Sequence, residues 1–243
     1  MNVYLILISS LFLISPQTPG ANEILNRVDE NMSSKNRVVE STMIIHGRRN
    51  SRTITSVTYS VGDEKSFTEY LSPAREKGTK MLKLEDKLWI YSPSTDRTIQ
   101  ISGHMLRQSV MGSDLSYEDM MDDRKLQEIY DASVSGKETI DGRSCFVLDL
   151  VAKVDDASYQ MQRIWVDVER FVPLKQEMYA KGGELLKRVE LSEVEKIEGR
   201  WFPTRMIYKD MLKQGDGTEF KMTAIKFNQD IPGYIFTKAA LKQ

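Results

Sequence analysis

Across its 243 residues the chain sets 34 Lys and Arg against 35 Asp and Glu, for a formal charge of -1. Without a basic excess there is no electrostatic footprint for a phosphate backbone, which excludes nucleic acid as the partner. Cys145 is the only cysteine, so no internal disulfide staples the fold and the core must hold it unaided.

The first segment is built for export. From Val3 to Ile14 only Ser9 and Ser10 interrupt an apolar run. At about 1.5 Å per residue it spans roughly 18 Å against a hydrocarbon core of about 30 Å, too short to anchor comfortably. The small, turn-prone Ser15-Pro16-Gln17-Thr18-Pro19-Gly20-Ala21 follows, so residues 1–21 read as a secretory signal peptide cut near Gly20 or Ala21. Because no Lys or Arg precedes the apolar run, a misplaced start or an uncleaved membrane tether stays open as the alternative. No cysteine in this stretch could carry a lipid anchor. Residues 22–243 then form one exported domain with room for a sizeable core.

Residues 22–35 predict an amphipathic helix: Ile24, Val28 and Met32 recur every fourth position beside Leu25, with Glu23, Arg27, Asp29 and Glu30 turned away. Strands dominate the rest of the chain. Residues 38–47 and 52–71 are rich in Val, Ile, Thr and Tyr, and later apolar runs are punctuated by turn residues such as Glu85-Asp86, Asp141-Gly142, Gly182-Gly183, Glu198-Gly199 and Gly215-Asp216-Gly217. With no helices between the later runs, antiparallel hairpins are expected, and Asp141-Gly142 and Gly182-Gly183 permit the positive φ that tight loops need. Cys145, followed by Phe146, Val147 and Leu148, reads as a buried structural thiol. Residues 161–168, 174–179 and 205–210 carry apolar side chains on both strand faces. A long sheet of this kind either packs on a second sheet or curls and covers its hollow with helices, for which residues 22–35, a pair around 104–121 and the tail 236–241 are available.

Residues 104–121 have the make-up of a cover. Leu106 and Val110 stand four apart, Gly112 breaks the run, and Ser116 is a good N-cap with Asp119 at the capping-box position, so two short helices with a glycine joint are predicted. Met105, Met111, Met120 and Met121 bring four of the thirteen methionines here. Unbranched thioethers adapt to irregular apolar partners; they either plug a core or close a pocket for acyl chains of varying shape.

The run Ser72-Pro73-Ala74-Arg75-Glu76-Lys77-Gly78-Thr79, then Leu88-Trp89-Ile90-Tyr91-Ser92-Pro93, Ile101-Ser102 and residues 109–120, with Gly112-Ser113-Asp114 and Glu118-Asp119, resembles the outer-membrane lipoprotein-sorting protein family. These are periplasmic proteins similar to the lipoprotein carrier LolA, in the fold it shares with LolB. Ile164-Trp165-Val166-Asp167, Pro173-Leu174 and Gly199-Arg200-Trp201-Phe202-Pro203 extend the likeness more loosely. The resemblance implies a mainly β domain, a single antiparallel curved sheet forming a half-barrel whose concave apolar face is covered by short α-helices and holds lipid or lipoprotein acyl chains bound for the outer membrane. It also implies an inner-membrane transporter and an outer-membrane acceptor as partners, and no cofactor. LolA's lid-locking arginine matches no single position here. The expected lipid contacts are Met43, Ile45, Trp89, Tyr91, Ile99, Ile101 and Met178 on strands, with Met105, Leu106, Val110, Met111, Leu115, Met120 and Met121 on the cover. A register error of one residue turns any strand's set to the other face.

Catalysis finds little footing, and an enzyme is not expected. His46 and His104 are the only histidines, far apart and without a Ser or Cys in a nucleophile motif. Glu118, Asp119, Asp122 and Asp123 lack the alternating spacing of a calcium loop, no zinc pattern occurs, and no helix follows Gly182-Gly183 as a phosphate loop requires. The alternative to a carrier is a non-enzymatic subunit of an envelope export or efflux machine that docks a protein through Arg48, Arg49, Arg52 and the charges near Arg107.

Overall fold

A computed structural model, describing residues 18–47, 50–121 and 124–243, shows one 13-stranded antiparallel sheet, curved into an unclosed half-barrel. Most of the expected signal segment lies outside the described residues, as do Arg48, Arg49, Asp122 and Asp123. Helix α1 (Ala21–Met32) leads into β1 (Asn36–His46), β2 (Ser51–Val61), β3 (Lys65–Ser72), β4 (Lys80–Leu84), β5 (Lys87–Ser92) and β6 (Arg97–Ile101). A connection follows, with 3-10 turns at Gly103–Arg107 and Val110–Gly112 and helices α2 (Tyr117–Met121) and α3 (Leu126–Ile129). The second run is β7 (Tyr130–Ile140), β8 (Arg143–Ala152), β9 (Met161–Asp167), β10 (Pro173–Tyr179), β11 (Leu185–Ile197), β12 (Arg200–Asp210) and β13 (Thr218–Phe227).

Each run is a meander of hairpins, and the two meanders join where β1 pairs with β13. This leaves β6 and β7, neighbours in sequence, as the opposite edges of the sheet. The connection between them must therefore travel from one edge to the other, and its described residues, 102–121 and 124–129, lie across the concave side.

Helix α1 buries Ile24, Leu25 and Val28 against Ile129, Tyr130, Phe146, Leu148 and Ile164. It ends three residues before the predicted boundary because Ser33 is already extended, leading into β1. Asn31 fastens the last turn, donating to Arg170 O (2.8 Å) and Phe171 O (3.1 Å) and accepting from Trp201 N (3.0 Å). Asp141 and Gly142 both adopt positive φ, 47° and 77°, in the β7–β8 turn.

The sheet's other face carries apolar clusters of its own. On the convex side the C-terminal segment, predicted as a helix over 236–241 but folded as 3-10 turns at Gly233–Ile235 and Ala240–Lys242, lays Phe236, Ala240 and Leu241 over Phe67, Leu82 and Trp89. Trp165 gathers there with Cys145, Val147 and Leu174. Charged side chains seal it: Lys175 Nζ lies 4.2 Å from the ring centroid, and Glu138 accepts from Nε1 at 2.8 Å.

Candidate functional site

Residues 102–121 form a strap folded back on itself and closed by a β-bridge between Ser109 and Ser116. The helix predicted over 104–111 is two 3-10 turns, with Gln108 extended and Met111 and Gly112 reversing the chain at φ 51° and 74°. So short a stretch cannot offset the cost of nucleating an α-helix while tied down by a strand-like bridge. Beyond the joint the capping box forms. Asp119 Oδ2 accepts from Ser116 N and Oγ, both at 2.7 Å, and Ser116 Oγ accepts from Asp119 N at 3.2 Å.

Beneath the strap, Val110 is buried with Met43, Ile54, Tyr70, Met81, Leu88 and Ile101, while Ile45, Met105, Leu106, Met111, Met120 and Met121 pack around them. Leu115 is buried too. Met178 lies further along the same face with Val189, Leu191 and Met206, and Phe220 touches both clusters. The fold thus brings most of the expected contacts to one surface. Ile99 is opposite Ile90 but sits on edge strand β6, 49% exposed. Trp89 and Tyr91 require a correction. Leu88 and Ile90 point to the strap, so Trp89 and Tyr91 point away from it, into the cluster beneath the C-terminal turns; β5 is one residue out of step with the expected parity. Ile54, Tyr70, Met81 and Leu88 escaped the sequence reading because alternation marks two faces without saying which is inside.

The strap's apolar side chains face inward, and polar groups hold its backbone. Arg52 on β2, expected as a docking contact in the alternative reading, donates through Nη2 to Met111 O and pairs with Glu76 at 3.4 Å. Lys213 Nζ reaches Ser113 O at 2.7 Å. Asp114, buried, accepts from Thr218 Oγ1 (2.8 Å) and Asp210 N (3.0 Å). Lys83 on β4 donates to Met121 O at 2.7 Å. Asp119 forms a buried ion pair with Lys187 of β11 and accepts from Tyr159 Oη at 2.5 Å. Burial pushes the Asp119 carboxyl up, but the Lys187 ammonium and hydrogen bonds from Lys187, Tyr159 and Ser116 outweigh it and hold the group below its usual 3.8. Burial and the Asp119 charge together drive the Tyr159 phenol well above its ordinary value. The Gly112-Ser113-Asp114 and Glu118-Asp119 motif is therefore largely a set of fasteners.

Between α2, α3 and the concave face a pocket of about 190 Å³ remains, lined by Asp119, Tyr130, Gln162, Gln176, Met178, Lys187 and Val189 among others. A cleft of about 400 Å³ runs along the strap's other flank, where Leu106 and Met121 meet Asp63, Glu64, Glu85, Asp86, Glu118 and Asp156. His46 Nδ1 lies 3.2 Å from Ser51 Oγ and its Nε2 3.8 Å from Glu219, a carboxylate that Arg205 engages at 2.8 and 3.2 Å. His104 is exposed on the first 3-10 turn.

This architecture recurs in solved structures over nearly their whole length. A domain provisionally described as an outer membrane lipoprotein-sorting protein from Vibrio parahaemolyticus superposes with a TM-score of 0.80 at 24% identity, covering 92% of this chain and 98% of that one. A DUF1329 family protein from Desulfovibrio piger gives 0.81 at 27% identity, covering 90% and 96%. A LolA superfamily protein from Nitrosomonas europaea gives 0.76 at 27% identity, covering 92% and 100%. A family model described as "Uncharacterized protein" matches residues 62–243. The chain belongs to that family, and its fold is LolA-like. The span matched in this LolA-like chain runs from the β2–β3 turn to the C-terminus and includes the whole strap with its anchors on β4, β11 and β13. No curated protein matches. Among the described residues no helix is long and apolar enough to cross a membrane.

Proposed function

We propose that the protein is a periplasmic carrier, exported by residues 1–21, that takes a lipid or lipoprotein acyl chain beneath the strap and moves it toward the outer membrane. An inner-membrane transporter would load it and an outer-membrane acceptor would receive the cargo. The observation that carries this reading is the strap itself. It lays Val110, Leu115 and the methionines into the concave face while polar fasteners hold its backbone. The pocket of about 190 Å³ falls below the roughly 300–1,000 Å³ of ordinary small-molecule sites, and the cleft of about 400 Å³ on the strap's flank is lined mostly by carboxylates, so in this reading the strap swings out for a chain to enter. The fasteners all involve a charged side chain that water can solvate once the strap lifts, at a net cost of about 1.5–3 kcal/mol each. The apolar side chains, by contrast, lose their burial unless hydrocarbon takes their place. Opening is thereby linked to the arrival of an acyl chain. A sixteen-carbon chain is held in a bilayer by on the order of 12 kcal/mol, at about 0.8 kcal/mol per CH2. Met43, Ile45, Ile101 and Met178 on the sheet and Met105, Leu106, Val110, Met111, Leu115, Met120 and Met121 on the strap are the contacts we assign to it.

The names given to the Vibrio and Nitrosomonas structures support this reading. Native mass spectrometry of protein purified gently from cells tests it: an added lipid mass is expected, removed by delipidation and restored by uptake of a fluorescent fatty acid. A bare single mass with no uptake would overturn the proposal.

A further inference from the structure

On β7, β9 and β10 the concave face carries a phenol and two amides, Tyr130, Gln162 and Gln176, among its apolar side chains. Gln162, only 7% exposed, would be costly there without partners. A chain of hydrogen bonds supplies them. Tyr130 Oη donates to Tyr159 O (3.0 Å), Gln162 Nε2 donates to Tyr130 Oη (2.6 Å), and Gln176 Nε2 donates to Gln162 Oε1 (2.6 Å).

The direction of this chain is fixed from one end. A backbone carbonyl can only accept, so the Tyr130 proton goes to Tyr159 O and the Tyr130 oxygen is left to accept from Gln162. That sets the orientation of the Gln162 amide, whose Oε1 then takes the Gln176 amide proton, and the network assigns both amides. At the open end stands Gln176 Oε1, an acceptor with no donor among the described residues, on a side chain lining the pocket of about 190 Å³. Lys187, the buried cation of the same wall, is paired with Asp119. Met178 and Val189 give the pocket an apolar side that continues through Phe220 to the cluster under the strap. A hydrocarbon tail beneath the strap would bring its head to Gln176.

We infer that this pocket receives the head of the bound lipid and selects heads bearing a hydrogen-bond donor, a hydroxyl or amide N–H, for Gln176 Oε1. Such a head site presupposes the carrier reading, and one competition experiment separates the two. Delipidated full-length protein is loaded with diphenylhexatriene, which has no polar group, and challenged with monopalmitoylglycerol or methyl palmitate, which share one acyl chain but only the first of which carries donors. The wild type should favour the glyceride, and Gln176→Leu should reduce that preference about tenfold, the worth of one hydrogen bond, read as the ratio of the two competitors' displacement of diphenylhexatriene from the same variant. If Gln176→Leu fails to bind diphenylhexatriene, Tyr130→Phe replaces it: loss of the direction-setting hydroxyl lets both amides flip, and the preference should fall with Gln176 still present. A wild type that does not discriminate, or a variant that keeps the full preference, overturns the head site while leaving the carrier standing. No uptake of diphenylhexatriene or of either palmitate by the wild type would remove both.

Discussion

Replacing Asp119 by Asn should free the strap before it loosens the sheet. The side chains of Asp119 and Lys187 are 10% and 7% exposed, and removing one charge of a buried pair strands the other at a cost of about 3–5 kcal/mol. The introduced amide would still offer an oxygen to Ser116, so the cap contributes little to the loss. Lys187 escapes its penalty once the strap lifts and water reaches it, so the cost should appear as local opening. About 3 kcal/mol corresponds to roughly two powers of ten in the open fraction. Hydrogen-exchange mass spectrometry should show protection across residues 116–121 falling about a hundredfold, with Arg143–Ala152 of β8 unchanged. Adding Lys187→Met should recover most of the loss, since neither charge is then left alone. Wild-type exchange in the strap, or equal loss in β8, would refute the assignment of this pair as a fastener.

Acid should open the same fastener late. Because the folded Asp119 carboxyl titrates below 3.8, its contribution is complete above the unfolded value and is lost as pH falls through the lowered one; strap protection, taken relative to the intrinsic exchange rate at each pH, should stay flat from about pH 7 to about pH 5 and fall only below about pH 4. An onset near pH 6 would implicate a histidine instead. Arg52→Leu removes a charged donor to Met111 O, worth about 1.5–3 kcal/mol, and should speed exchange at residues 110–113 at least tenfold; an unchanged rate would contradict that contact. Trp89→Ala should lower stability to denaturant by about 3–5 kcal/mol yet leave fatty-acid affinity within about twofold, because Trp89 packs under the C-terminal turns. A tenfold loss of affinity would put it in the hollow. Cys145, fully buried with its thiol pushed up to about 11 by burial and the nearby Asp167 charge, should resist iodoacetamide at neutral pH until the protein is unfolded; alkylation of the native protein would count against that burial.

Local rules made much of this legible. The fourfold spacing of Ile24, Val28 and Met32 marked α1, the Asp141-Gly142 pair marked a tight hairpin, and Ser116 with Asp119 marked a cap, since each depends on residues a few positions apart. Methionine density located the cover. The part that cations play in holding that cover down was invisible, because Arg52, Lys83 and Lys187 are spaced like ordinary surface residues on strands and acquire this role only when the strap lies over them.

The sequence by itself determined the elements, the hairpins and the apolar stock for a hollow, all set by dihedral preference and side-chain periodicity. Tertiary structure decided which parity of β5 faces inward, which cations meet the strap, and that there is a strap across the hollow at all. The pairing of β1 with β13 makes β6 and β7 the two rims of the sheet and obliges the chain between them to cross its concave side. That pairing joins segments at opposite ends of the chain, and no local pattern of residues encodes it.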